Sequence, residues 1–284
     1  MGEEPAPTGT PVHTGPPRIK LRVLVVPGFL GDVMSPWVKP FEDALPALQK
    51  AGIPTGYLAV SGRGSCAHNA EQIWKQFKDL AFEPGERLVV IGYSKGAPDI
   101  LEAIVRYPEV RDRVDAILSV AGAIGGSPVA DKTSGFTRGL VGALPLFAGD
   151  KGDGRGIESL GEGPRQLWLS RNPLPRSVHY YSVGSFTTRD KVSAILRSAY
   201  DDLAPIDPRN DGQLLFYDQI IPGGTLLGFV NSDHWGIALP VKEQMPIAFA
   251  LAATQNEFPR HLVLEAALRF IEERFVADAA AAGE

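Results

Sequence analysis

Cysteine is almost absent from this chain of 284 residues; Cys66 is the only one. No disulfide can form within the chain, so nothing points to an oxidising compartment. Metal motifs are missing as well. There is no C-x-x-C and no H-E-x-x-H, which removes the usual sequence grounds for zinc. Basic charge is in deficit, with 28 Lys and Arg against 33 acidic residues and a net charge of −5. That balance leaves no cationic footprint for nucleic acid and disfavours tight binding to anionic membranes. No apolar run approaches the ~18 residues a membrane-crossing helix needs. Met1-Gly2-Glu3-Glu4-Pro5 lacks the basic and apolar regions of a secretory signal, so the cytoplasm is the expected location. Asp131-Lys132-Thr133 lacks the glycine that a phosphate-binding loop places before its lysine. Asp150 and Asp153 sit in a glycine-rich run without the carboxylate spacing of a calcium loop. Neither a metal nor a cofactor is expected.

What is present fits a globular enzyme. Apolar residues make up 44% of the chain and charged residues 21%, and the length suits one large core. Residues 1–17 are rich in Pro, Gly and Thr and read as a disordered leader. The main domain is expected over 18–276, with a frayed alanine-rich tail at 277–284. Short apolar runs at 21–26, 57–60, 87–92, 114–120, 178–183 and 225–230 read as buried strands. Between them, 36–50, 67–82 and 97–107 read as helices, and 261–275 closes the chain with another. Strands alternating with helices predict an α/β fold with a mostly parallel sheet covered on both faces. The long stretch 123–177 reads as a cap inserted after the strand that follows the 97–107 helix. A short helix is expected near 135–147.

Gly92-Tyr93-Ser94-Lys95-Gly96 stands where the 87–92 strand gives way to a helix. A serine delivered there needs small residues two before and two after it, so that the turn can lift its hydroxyl clear of the sheet. No other serine has glycines at both positions. The arrangement is similar to the nucleophile elbow of the α/β-hydrolases. A serine hydroxyl requires a base, and the base requires an orienting acid. His234, in Asn231-Ser232-Asp233-His234-Trp235, follows the last strand at its C-terminal end, where catalytic groups collect in parallel sheets. The other histidines lie before the serine (His13, His68), at the start of a strand (His179) or at the start of the closing helix (His261). For the acid, Asp211 in Asn210-Asp211-Gly212 lies in a turn between the last two strands. Asp218 is the alternative, followed by Asp207 and Asp233. The oxyanion donors are expected to be the N–H of Lys95, which follows the nucleophile, and that of Phe29 in the loop after the first strand. The Lys95 side chain is expected to be solvated or to cap the helix. Cys66 reads as a packed small residue rather than as a nucleophile paired with His68.

The chain further resembles the bacterial triacylglycerol lipases and esterases of the α/β-hydrolase superfamily. The resemblance is carried by Gly126-Ser127-Pro128-Val129-Ala130-Asp131, by Glu158-Ser159-Leu160 and by Asn210-Asp211-Gly212 with a histidine about two dozen residues on. It implies Asp211 and His234 as partners of Ser94. The chain departs from the family in having Pro27-Gly28 where His-Gly is usual. Gly236 stands where several members carry a calcium-binding Asp. The expected function is hydrolysis of carboxylic esters with a hydrophobic acyl group through an acyl-enzyme. The expected substrate is a small, lipid-like ester. A thioesterase or acyltransferase would use the same residues, and a non-catalytic lipid- or partner-binding protein of this fold would need none of them.

Overall fold

A computed structural model of the protein describes residues 16–29, 31, 38–131, 150, 152–241, 253 and 258–283. Among these residues six strands form one sheet: β1 (Leu21–Val26), β2 (Thr55–Tyr57), β3 (Arg87–Tyr93), β4 (Ala116–Val120), β5 (His179–Phe186) and β6 (Thr225–Asn231). Their order is β2-β1-β3-β4-β5-β6 and every pairing is parallel. The principal helices are α1 (Leu45–Lys50), α2 (Cys66–Phe77), α3 (Gly96–Arg106), α4 (Pro108–Arg111), α5 (Pro128–Asp131), α6 (Glu162–Arg171), α7 (Arg197–Leu203) and α8 (Arg260–Ala282). This is the α/β-hydrolase architecture the sequence predicted. Among the described residues no helix is long and apolar enough to cross a membrane.

The two-residue period of the strands divides the core. Val23, Val25, Val89, Ile91, Leu118 and Val120 face one side and pack with Leu45 and Leu48 of α1 and Leu264, Leu268 and Ile271 of α8. Leu24, Val26, Leu88, Val90 and Ile117 face the other and pack with Ile73 and Phe77 of α2 and Ile100, Leu101 and Ile104 of α3. Burying each such side chain contributes roughly 1.5–3 kcal/mol. Both faces are therefore covered, and unbroken apolar runs suit the central strands better than alternation does.

Several element bounds differ from expectation for identifiable reasons. Of the helix expected over 36–50, the described part, 38–50, is helical only at Leu45–Lys50. Phe41 takes a left-handed φ of 62°, and Pro46 in the first turn starts the helix afresh. The strand expected at 57–60 lies at Thr55–Tyr57, where it meets Val23–Val25. Beyond it, the amides of Ala59 and Ser61 are taken by the side chains of Gln76 and Gln72 from α2, at 2.8 and 2.7 Å. The closing helix does not stop at 275. The helix runs to Ala282, where Gly283 ends it with a φ of 79°. α6 was not foreseen. Its one buried residue is Arg165, and Leu167 is half exposed, so no apolar stripe announces it. The leader up to residue 15 and the helix expected near 135–147 lie outside the described residues.

Candidate active site

Ser94 stands between the end of β3 and the start of α3 with a φ of 52°, a left-handed conformation that a non-glycine residue adopts at a cost. The surroundings enforce it. Ser94 N–H donates to Val120 O at 3.2 Å, and Ser94 O accepts from Ala97 and Ala123 N–H at 3.2 and 3.1 Å. The two flanking glycines are required by contact. A Cβ at Gly92 would lie 2.4 Å from Ala97 Cα, and one at Gly96 would lie 2.1 Å from Val26 O. Gly28, in the loop leaving β1, approaches from the other side. A Cβ there would come within 2.8 Å of Ser94 Cβ. Phe29 is the next residue of that loop.

His234 reaches Ser94 from the loop after β6. Its Nε2 lies 2.8 Å from Ser94 Oγ and its Nδ1 2.8 Å from Asp211 Oδ2. A carboxylate accepts only, so Nδ1 carries the proton and Nε2 is left with the lone pair that faces Oγ. The loop is held twice: His234 N–H donates to Asp211 O at 2.9 Å, and Tyr93 OH donates to His234 O at 2.7 Å. Tyr93 is the residue before the serine, so one side chain ties the turn to the His234 loop. Its buried hydroxyl is pushed well above the usual phenol range, mainly by burial, and stays a donor.

Asp211 is fully buried. Its Oδ1 accepts from Gln213 and Leu214 N–H at 2.9 and 2.8 Å, closing an Asx-type turn over Gly212. Its Oδ2 accepts from Ser185 Oγ at 3.1 Å as well as from His234. The remaining carboxylates point elsewhere. Asp233 accepts from Ser193 and Gly236 N–H at 2.7 and 2.6 Å and so shapes the loop that carries His234. Asp207 pairs with Arg209. Asp218, the alternative acid, does not reach His234. It packs against Gly125 and faces Glu162, and burial together with the Glu162 charge raises its carboxyl to about 7.

The Lys95 side chain is neither solvated nor capping; it is 1% exposed and its Nζ sits 2.6 and 2.8 Å from the Asp99 carboxylate. Asn69 Nδ2 donates to the same carboxylate at 2.7 Å and so joins α2 to α3 behind the serine. The signal available was the i,i+4 spacing of Lys95 and Asp99; their burial left no local trace. Cys66 is buried at the start of α2, where burial pushes its thiol up to about 11, well away from nucleophile chemistry. Asp153, in the glycine-rich run, is partly desolvated, yet hydrogen bonds from the Ser65 side chain and backbone bring it down to about 2. It ties the loop to the start of α2, and no metal-binding cluster is found among the described residues. Tyr93 and Ser185 were not singled out by sequence, because their contacts arise from residues distant in the chain. A cavity of about 760 Å³ lies at the N-terminal ends of β5 and β6 and borders none of these groups.

A line from a buried carboxylate through an imidazole to a serine hydroxyl can move the Oγ proton to Nε2 as Oγ attacks an electrophile. No protein-family model matches the chain, and no curated protein does. Solved structures do. The Bacillus licheniformis lipase BlEst2 in its mature form shares the fold at 20% identity and a TM-score of 0.63, with 90% of this chain and 96% of that chain covered. The metagenomic carboxyl esterase MGS0156 is 38% identical with a TM-score of 0.86, and the match covers 96% of this chain and 82% of the esterase. That degree of identity over so much of both chains places the present protein in the same family, the carboxylic ester hydrolases of the α/β-hydrolase fold.

Proposed function

We propose that Ser94 is the nucleophile of an esterase that works through an acyl-enzyme, with His234 as base and Asp211 as its orienting acid. The carrying observation is the pair of 2.8 Å contacts that join the three side chains in one line. Ser94 Oγ attacks the ester carbonyl and gives its proton to His234 Nε2. The carbonyl oxygen becomes an oxyanion, held by the N–H groups of Phe29 and Lys95. Each such donor lowers the barrier by about 2.7–4 kcal/mol. The imidazolium returns its proton to the departing alkoxide, and the alcohol leaves. Water then repeats the sequence on the acyl-enzyme, releasing the acid and restoring Ser94.

The substrate is read as a small ester with a hydrophobic, lipid-like acyl group. Phe29, which carries one proposed oxyanion donor, packs against the buried cluster of Val129, Ala199, Leu203 and Leu215. The oxyanion position therefore has apolar neighbours on its β1 side. The net charge of −5 supports neutral rather than anionic or nucleic-acid substrates.

A fluorophosphonate probe tests the nucleophile. The wild type should label and Ser94→Ala should not; equal labelling of both would overturn the assignment. A series of p-nitrophenyl esters from acetyl to palmitoyl tests the acyl group. Activity confined to acetyl would remove the lipid-like reading and leave the esterase standing.

A further inference from the structure

Asp211 has no solvent to steady its charge, so the groups around it determine where its carboxylate points. One of them comes from a turn outside the sheet. Gln219 closes the 3-10 turn Phe216–Gln219 and is itself fully buried. Its Oε1 accepts from Ser185 N–H at 2.7 Å. That N–H can only donate, so it fixes which end of the amide is oxygen. Nε2 then faces two acceptors: Ser185 O at 2.8 Å, and Asp211 Oδ2 at a longer 3.4 Å. One donor and two acceptors are matched by one oxygen and two N–H hydrogens, which among neutral side chains of this reach only glutamine offers. The fit is prepared on both sides. A Cβ at Gly184 would meet the Phe229 ring at 2.4 Å and Gln219 Oε1 at 3.2 Å, so the glycine accommodates both side chains. The turn is pinned by Gly125 N–H on Asp218 O at 2.8 Å and by Ile221 N–H on Ser182 Oγ at 2.9 Å.

Ser185 is thus gripped through its backbone by Gln219 while its Oγ donates to Asp211 Oδ2. Ser185 Oγ and, at the longer distance, Gln219 Nε2 both end on the oxygen that receives His234 Nδ1–H. We propose that Gln219 is a positioning residue for ester hydrolysis. It splints the end of β5 to the acid loop and holds Asp211 Oδ2 in line with His234. This inference rests on the Ser94–His234–Asp211 reading above.

The test uses Gln219→Met, which keeps the length and removes both polar ends. Loss of a donor leaves more negative charge on Oδ2, which favours the imidazolium. The acid limb of the kcat/KM profile should therefore move up by about half a pH unit. The plateau kcat should fall roughly tenfold with KM unchanged, as expected for an alignment lost at the transition state. The downfield proton resonance of His234 Nδ1–H should shift in the resting enzyme. A plug that only fills space would lower the melting temperature and leave the profile and the resonance in place. Gln219→Glu serves if the Met variant does not fold. It still accepts from Ser185 N–H, and its activity should follow a titration that the wild type lacks. A folded variant with wild-type kcat, acid limb and His234 resonance overturns the inference. A wild type without Ser94-dependent turnover overturns the functional reading instead. In that case the substrate-free resonance still decides whether Gln219 acts on the Asp211–His234 pair.

Discussion

Asp211→Asn is the perturbation whose outcome the geometry constrains most tightly. Asn has the shape of Asp but one acceptor and one donor in place of two acceptors. The two backbone N–H groups of Gln213 and Leu214, at 2.9 and 2.8 Å, both aim at Oδ1 and cannot turn away. The Asn carbonyl must therefore occupy that side, which places its NH₂ 2.8 Å from His234 Nδ1. A donor there requires the ring to present a lone pair at Nδ1 and to carry its proton on Nε2. Nε2 then faces Ser94 Oγ without a lone pair to receive the proton. The reverse orientation restores the tautomer but sets a donor against two donors in a fully buried turn, costing about 1–3 kcal/mol for each group left unsatisfied. The expected loss of kcat is on the order of 10³–10⁴-fold, or about 4–5.5 kcal/mol of barrier. KM should change little, and the melting temperature should stay within a few degrees because the Oδ1 turn survives. Steady-state kinetics on p-nitrophenyl butyrate, with thermal melts of the same samples, reads both. A folded Asp211→Asn enzyme within tenfold of wild-type kcat would refute the reasoning from tautomer.

The pH dependence of stability should carry the mark of Asp218. Its folded-state carboxyl titrates near 7, above the ordinary 3.8, because it is buried and faces Glu162. The folded protein thus holds a proton that the unfolded chain releases, and stability falls as pH rises between about 4 and 7. Asp218→Asn should be indifferent at pH 4 and stabilising at pH 8, by about 2 kcal/mol once solvent screening is allowed for; urea melts at both pH values check this, and an equal effect at both would contradict it. At Gly96→Ala the added Cβ would meet backbone oxygen atoms of Val26 and Pro27 at 2.1 and 2.7 Å, so the end of β1 must move. Overpacking of this kind costs up to about 3 kcal/mol, which in a protein of this size lowers the melting temperature by roughly 5–10 °C. Activity should fall with it, because the displaced strand end leads into the loop that carries Phe29.

The parts of the site that were legible in sequence are those dictated by local chemistry. Gly92 and Gly96 flank Ser94 because a Cβ at either would strike backbone, and that requirement is written in adjacent residues. Parallel strands deliver their loops to one edge of the sheet, which is why His234 and Asp211, favoured by chain order, come together with Ser94. Asp211 and Asp218 could not be separated by spacing. The 3-10 turn at Phe216–Gln219 aims Gln219 at Asp211 and Asp218 at Glu162, and nothing local encodes that rotation. Strand ends at residues 55–61 were misjudged for a similar reason. Gln72 and Gln76 supply from α2 the hydrogen bonds that a strand neighbour would have given. The buried Lys95–Asp99 pair is the plainest case, since a lysine beside Ser94 reads as solvated until Asn69 and Asp99 are seen to enclose it.

The central claim is a covalent acyl intermediate on Ser94. Rapid acid quench during turnover of a p-nitrophenyl ester, followed by peptide mass spectrometry, tests it directly. The account predicts an acyl group on the peptide that contains Gly92-Tyr93-Ser94-Lys95-Gly96, with accumulation lost in Ser94→Ala. Turnover with no acyl group on that peptide, or with the label on Cys66, would contradict it.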